Sequence, residues 1–96
     1  MLEKDVEAKL RRGVKALGCL CLKFVSPGYV GVPDRVILIP GGRLIFVELK
    51  RPGERERPRQ GYVQEVFRRY GFEVYGAVDA PEKVQIVIDR CKELMT

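Results

Sequence analysis

The 96-residue chain predicts an α/β fold, a mixed β-sheet flanked by helices in the order α-β-β-β-α-β-α. Three observations carry that prediction. Segments 2–17, 58–70 and 81–94 place apolar residues at helical spacing, and short apolar runs at 19–26, 34–39, 43–50 and 72–78 read as strands. The last strand follows a helical crossover, so it should lie parallel to the strand before that helix, with a right-handed connection. At this length one domain, 1–96, is expected.

The first helix, "LEKDVEAKLRRGVKAL", repeats Val6, Leu10, Val14 and Leu17 on one face, and Gly18 is a natural stop. Gly13 inside it costs about 1 kcal/mol relative to alanine. "CLCLKFVS" is an apolar strand with one lysine, Lys23, and "PGYVGVP" at 27–33 is a loop rich in turn formers. Two strands joined by "PGG" or a subset of it then form a hairpin. "RPGERERPRQ" is a polar, basic connection. The helix after it should start at Pro58, turn Val63, Val66, Phe67 and Tyr70 to the core, and end at Gly71. In the last helix Asp79 is placed to cap, Pro81 suits the first turn, and Glu82 completes a capping-box-like pattern.

With 46% hydrophobic and 32% charged residues the composition is that of an ordinary soluble globular protein. No apolar run nears the roughly 20 residues that span a bilayer and no signal peptide is seen, so no membrane association and a cytoplasmic location are expected. Cys19, Cys21 and Cys91 read as buried free thiols, being odd in number and partly inside a strand. Histidine is absent, which excludes Cys/His zinc sites, histidine triads and a histidine base. Catalysis would have to run on carboxylates, lysine or metal-activated water. The net charge of +5 makes a polyanionic partner plausible, nucleic acid first.

The informative stretch is "GVPDRVILIPGGRLIFVELK", residues 31–50, where Asp34, Glu48 and Lys50 sit at the ends of apolar strands. Alternation puts Glu48 and Lys50 on one face of the second hairpin strand. A two-residue turn at Gly41-Gly42 would pair Asp34 with Leu49, on the wrong face. A three-residue turn, Pro40 to Gly42, sets Asp34 opposite Glu48, with Gly42 suited to a left-handed conformation. Two adjacent carboxylates repel, and a divalent cation relieves that repulsion. Oxygen donors favour Mg²⁺ or Mn²⁺, and a lysine beside them can orient or deprotonate water: equipment for hydrolysing a phosphodiester. Against this, acid-x-Lys at a strand end is common in proteins without catalysis.

"GVPDRVIL", "FVELK" and then "RPRQ" together resemble the PD-(D/E)XK nuclease superfamily, and more narrowly its VRR-NUC (virus-type replication-repair nuclease) family in the small stand-alone form. The resemblance runs from the acidic first helix to "GFEVY". It implies a restriction-endonuclease-like fold. Asp34 and Glu48 would be metal ligands, the Leu49 carbonyl would complete the set, Lys50 would be the catalytic lysine, and Gln60 matches a glutamine near the active site. The helix-one acid would be Glu3, with Glu7, one turn on, as the alternative; either could equally be a solvated helix acid. Lys23 matches a basic position that could contact phosphate or snorkel from a strand edge.

Arg51, Arg55, Arg57 and Arg59 form the natural contact to backbone phosphates, although Glu54 and Glu56 dilute their charge. No aromatic cluster suggests base stacking, so recognition of DNA shape is expected. Members of the small form are typically phage homodimers that cut branched DNA as Holliday junction resolvases do, and two sites about a two-fold axis suit a four-way junction. Tyr29, Val30 and the last helix are the candidate dimer contacts. The readings of another class are a DNA-binding module with a relic site and, ranked last, a structural protein.

Overall fold

The computed structural model of the chain describes residues 2–95. The elements are α1 (Glu3–Ala16), β1 (Leu20–Lys23), β2 (Arg35–Ile39), β3 (Arg43–Leu49), α2 (Pro58–Arg69), β4 (Glu73–Val78) and α3 (Pro81–Leu94), in the expected order. The sheet runs β1-β2-β3-β4, with the first three strands antiparallel and β4 parallel to β3 across the α2 crossover. β1 is half the length of its apolar run, because only its first residues find partners on β2.

One sheet face carries Ile37, Ile39, Ile45, Val47 and Leu49. It is sealed by Val6, Leu10 and Val14 of α1 and by Val84, Val87 and Cys91 of α3. Gly13 has a packing reason: a side chain there would collide with Ile88, so the glycine lets α1 and α3 approach closely. That closeness offsets its helix-propensity cost. The three cysteines are free thiols; Cys19 and Cys91 are buried, and burial pushes the Cys91 thiol up to about 12.

The other face is covered over part of its width. Phe46 packs there against Phe24, Phe67 of α2 and Phe72, at ring-centroid distances of 5.5, 4.9 and 5.8 Å. Leu20, Leu22 and Leu38, on the same face by register, remain exposed.

Two helix expectations are corrected. Tyr70 is 79% exposed rather than in the core. It lies past the last turn of α2 as the C-cap, where its backbone N–H closes the helix and its ring is turned out, while Gln64 is buried further back. Asp79 does not cap α3: the N-cap is Ala80, with no side-chain cap bond, and the Asp79 carboxylate pairs instead with Lys83 at 2.9 Å.

Candidate active site

The hairpin loop decides the site. β2 and β3 pair Arg35 with Val47, Val36 with Phe46 and Ile39 with Arg43, which leaves Pro40, Gly41 and Gly42 as a three-residue turn. Gly41 and Gly42 have φ of +99° and +82°, a region that glycine enters without steric penalty. Extended by one residue, that register sets Asp34 against Glu48.

The two acids bracket each other's backbone. The Asp34 N–H donates to Glu48 Oε1 at 3.0 Å, and the Leu49 N–H donates to Asp34 Oδ1 at 3.1 Å. Lys50 Nζ lies 3.5 Å from Glu48 Oε2. Glu48 and Lys50 are both buried, at 4% and 8% exposure. The Lys50 N–H donates to the Val78 carbonyl at 3.0 Å, so β4 fixes where β3 leaves the sheet. Opposite Glu48, β4 carries a bulge between Tyr75 and Val78, and Ala77 within it holds φ at +50°. A bulge bends a strand and re-aims its neighbours, and left-handed backbone at a non-glycine residue is strained.

α2 supplies Gln60, and its N-terminal geometry orients the amide. Gln60 Oε1 accepts the exposed N–H of Arg57 at 2.9 Å, one half of a capping box, which leaves Nε2 to donate to Glu48 Oε2 at 3.2 Å. Electrostatics follow from this crowding. Burial, then the neighbouring Asp34 charge, push the Glu48 carboxyl up to about 7 against the opposing pull of Lys50. Asp34 is raised as well, chiefly by burial. A buried and a half-buried carboxyl held side by side above their usual range suit a hard cation that neutralises both.

Glu3 and Glu7 take different surroundings. Glu3 lines a groove of about 350 Å³ with Lys23, Phe24, Val25, Asp34 and Arg35. Its charge is also among those that raise Asp34. Glu7 Oε2 instead meets the buried Arg35 guanidinium at 3.2 Å, and Arg11 lies 3.9 Å away. Among the described residues no three acidic or cysteine side chains are gathered closely enough to hold a metal by themselves. The donor set is thus two carboxylates, which is what Mg²⁺ takes when water and substrate phosphate complete its shell. A larger hollow of about 690 Å³ lies between Arg43 and the end of α3, away from this cluster.

The basic connection divides. Arg51 is paired with Glu54 at 3.5 Å, while Arg55 and Arg57 are exposed. Arg59 donates from Nε to the Val30 carbonyl at 2.9 Å, and its guanidinium lies over the rings of Tyr29 and Tyr62, at 4.8 and 5.4 Å from their centroids. Sequence reasoning missed this aromatic cluster, since its tyrosines come from a loop and a helix far apart in the chain. It also missed Gln64, which donates to Glu56 at 2.6 Å and packs against Gly76 of the bulge. Its spacing from Gln60, one helical turn, was the available signal.

No family model matches the chain. A curated phage protein named "Putative nuclease p44", from Acyrthosiphon pisum secondary endosymbiont phage 1, is 48% identical over 58 residues, 60% of this chain and 62% of that protein. A solved structure of a VRR_NUC domain superimposes with a TM-score of 0.80 at 30% identity, covering 91% of this chain and 94% of the other. Sequence and fold agree over nearly the full length of that domain, and the chain belongs to the VRR-NUC nuclease family.

Proposed function

We propose that the chain is a divalent-metal-dependent DNA endonuclease, selective for branched structures such as the four-way junction and working as a homodimer. The observation that carries this reading is the convergence of Asp34, Glu48, Lys50 and Gln60 at one end of the hairpin. Family membership supports it. A bound Mg²⁺ or Mn²⁺, held by Asp34 and Glu48 with the Leu49 carbonyl beside them, would supply Lewis-acid stabilisation of charge on the phosphate.

The chain's own residues do the rest. The backbone bonds between the Asp34 and Glu48 segments hold both carboxylates before substrate arrives, so little reorganisation is needed. Lys50, anchored through its backbone to Val78, keeps its amino group beside Glu48, where as ammonium it orients the attacking water and as neutral amine it accepts that water's proton. Gln60 fixes the Glu48 carboxylate by donating to Oε2. Glu3, across the groove from Asp34, is the helix-one acid of this scheme, and Glu7 serves to anchor α1 through Arg35. Lys23 in the groove and the exposed Arg55 and Arg57 meet backbone phosphates. A homodimer would present two such sites about a two-fold axis, as a junction requires for paired cuts.

The test is cleavage of end-labelled four-way-junction and plain duplex DNA in Mg²⁺, Mn²⁺ or EDTA by wild type and Lys50→Ala. Metal-dependent, symmetric nicking of the junction that Lys50→Ala loses is expected. Tight junction binding without a cut in any metal would make the chain a DNA-binding module with a relic site.

A further inference from the structure

We infer that Tyr29 and Tyr62 form a stacking platform for unpaired nucleobases beside the cut phosphate. This rests on the nuclease reading above and deepens it, because it gives preference for branched DNA a physical basis. The rings are held against Arg59 without being buried. Arg59 stands between them, with its Nε tied to the Val30 carbonyl, and the two tyrosines remain 37% and 54% exposed. Loop and helix touch directly at Gly31. Its φ is +97°, and a side chain there would press on Arg59 Cγ at 2.9 Å and Val63 at 3.2 Å. The neighbouring Val30 is 71% exposed and Val25, at the groove, 74%. Core packing explains none of these exposed groups.

The platform and the site share both elements. Gln60, next to Arg59, reaches Glu48, and the loop that carries Tyr29 runs on through Gly31 to Asp34. A continuous duplex hides its base faces in the stack, and a flap, a gap or an unpaired nucleotide at a branch point offers them. The Arg59 guanidinium adds a cation whose charge DNA phosphates would match. A second copy of the chain seated on the patch would have to desolvate that cation.

The test measures binding in EDTA of a branched duplex carrying 2-aminopurine as its unpaired branch-point nucleotide, with plain duplex as reference. Wild type, Tyr29→Phe and Tyr62→Phe are expected to quench the 2-aminopurine. Tyr29→Ala and Tyr62→Ala should bind the branched DNA roughly tenfold more weakly without quenching, at unchanged duplex affinity. Equal weakening on both DNAs, or no change on either, would overturn the inference. So would quenching that persists in alanine variants which sediment as monomers where wild type is a dimer, since the patch would then belong to a second copy. The nuclease reading stands or falls separately, on cleavage by wild type.

Discussion

Glu48 and Glu73 sit on neighbouring strands, each beside a cation, yet their carboxyls are driven in opposite directions. Glu73 faces Arg90 from α3, which donates to it from Nε and Nη2 at 2.8 Å each, while the Tyr75 hydroxyl donates at 3.2 Å. Those bonds outweigh modest burial and hold Glu73 below its usual range. Glu48 has Lys50 at 3.5 Å, but it is almost fully buried and shares its space with Asp34, and its carboxyl rises to about 7. One end of the sheet carries a carboxylate that is already satisfied. The other carries a charge that awaits something further, and proteins keep such cost where they work.

Three changes sharpen that comparison. The largest effect belongs to Lys50→Ala, expected to lower the metal-dependent cleavage rate by about 10²- to 10⁴-fold, the range for loss of a positioned proton-transfer group; single-turnover kinetics on the junction would read it. Next is Glu48→Gln in metal-free protein. Because the folded carboxyl titrates at about 7 and the free one at 4.5, the native state holds its proton longer, and wild type loses stability as pH rises between those values. Above that window Glu48→Gln should be more stable by about 3 kcal/mol, and below it the two should match; urea unfolding at several pH values checks this. The smallest is Arg90→Ala. Its ion pair is about one-third exposed, so the loss of stability should be slight, with cleavage unchanged. Its sign with pH is opposite: the pair's contribution is present above 4.5 and fades as acid takes Glu73 through its lowered folded value.

How much of this was legible in the sequence depends on range. Alternation and helical spacing are local signals, and they located every element, the Pro81–Leu94 helix to the residue. The register arithmetic of one hairpin stated the condition, a turn of odd length, and left the choice between two turns open; the three-residue turn in the structure meets it. Gln60 was suggested by the family resemblance, but its two hydrogen bonds, to the Arg57 N–H and to Glu48, were not. Tyr70 misled because an aromatic at helical spacing still lies outside once the helix has ended. Asp79 misled because a nearby Lys83 competes for its carboxylate. The Tyr29–Arg59–Tyr62 cluster and the bulge at Ala77 depend on pairing between distant segments, and no local pattern encodes them.

The most direct test of the central claim, that the Asp34–Glu48 pair is built for a divalent cation, is calorimetric titration of Mn²⁺ into wild type, Asp34→Asn and Arg90→Ala. Saturable binding is expected in wild type and Arg90→Ala, with affinity at least about tenfold weaker in Asp34→Asn. Equal affinity in all three would place the metal elsewhere and contradict the account.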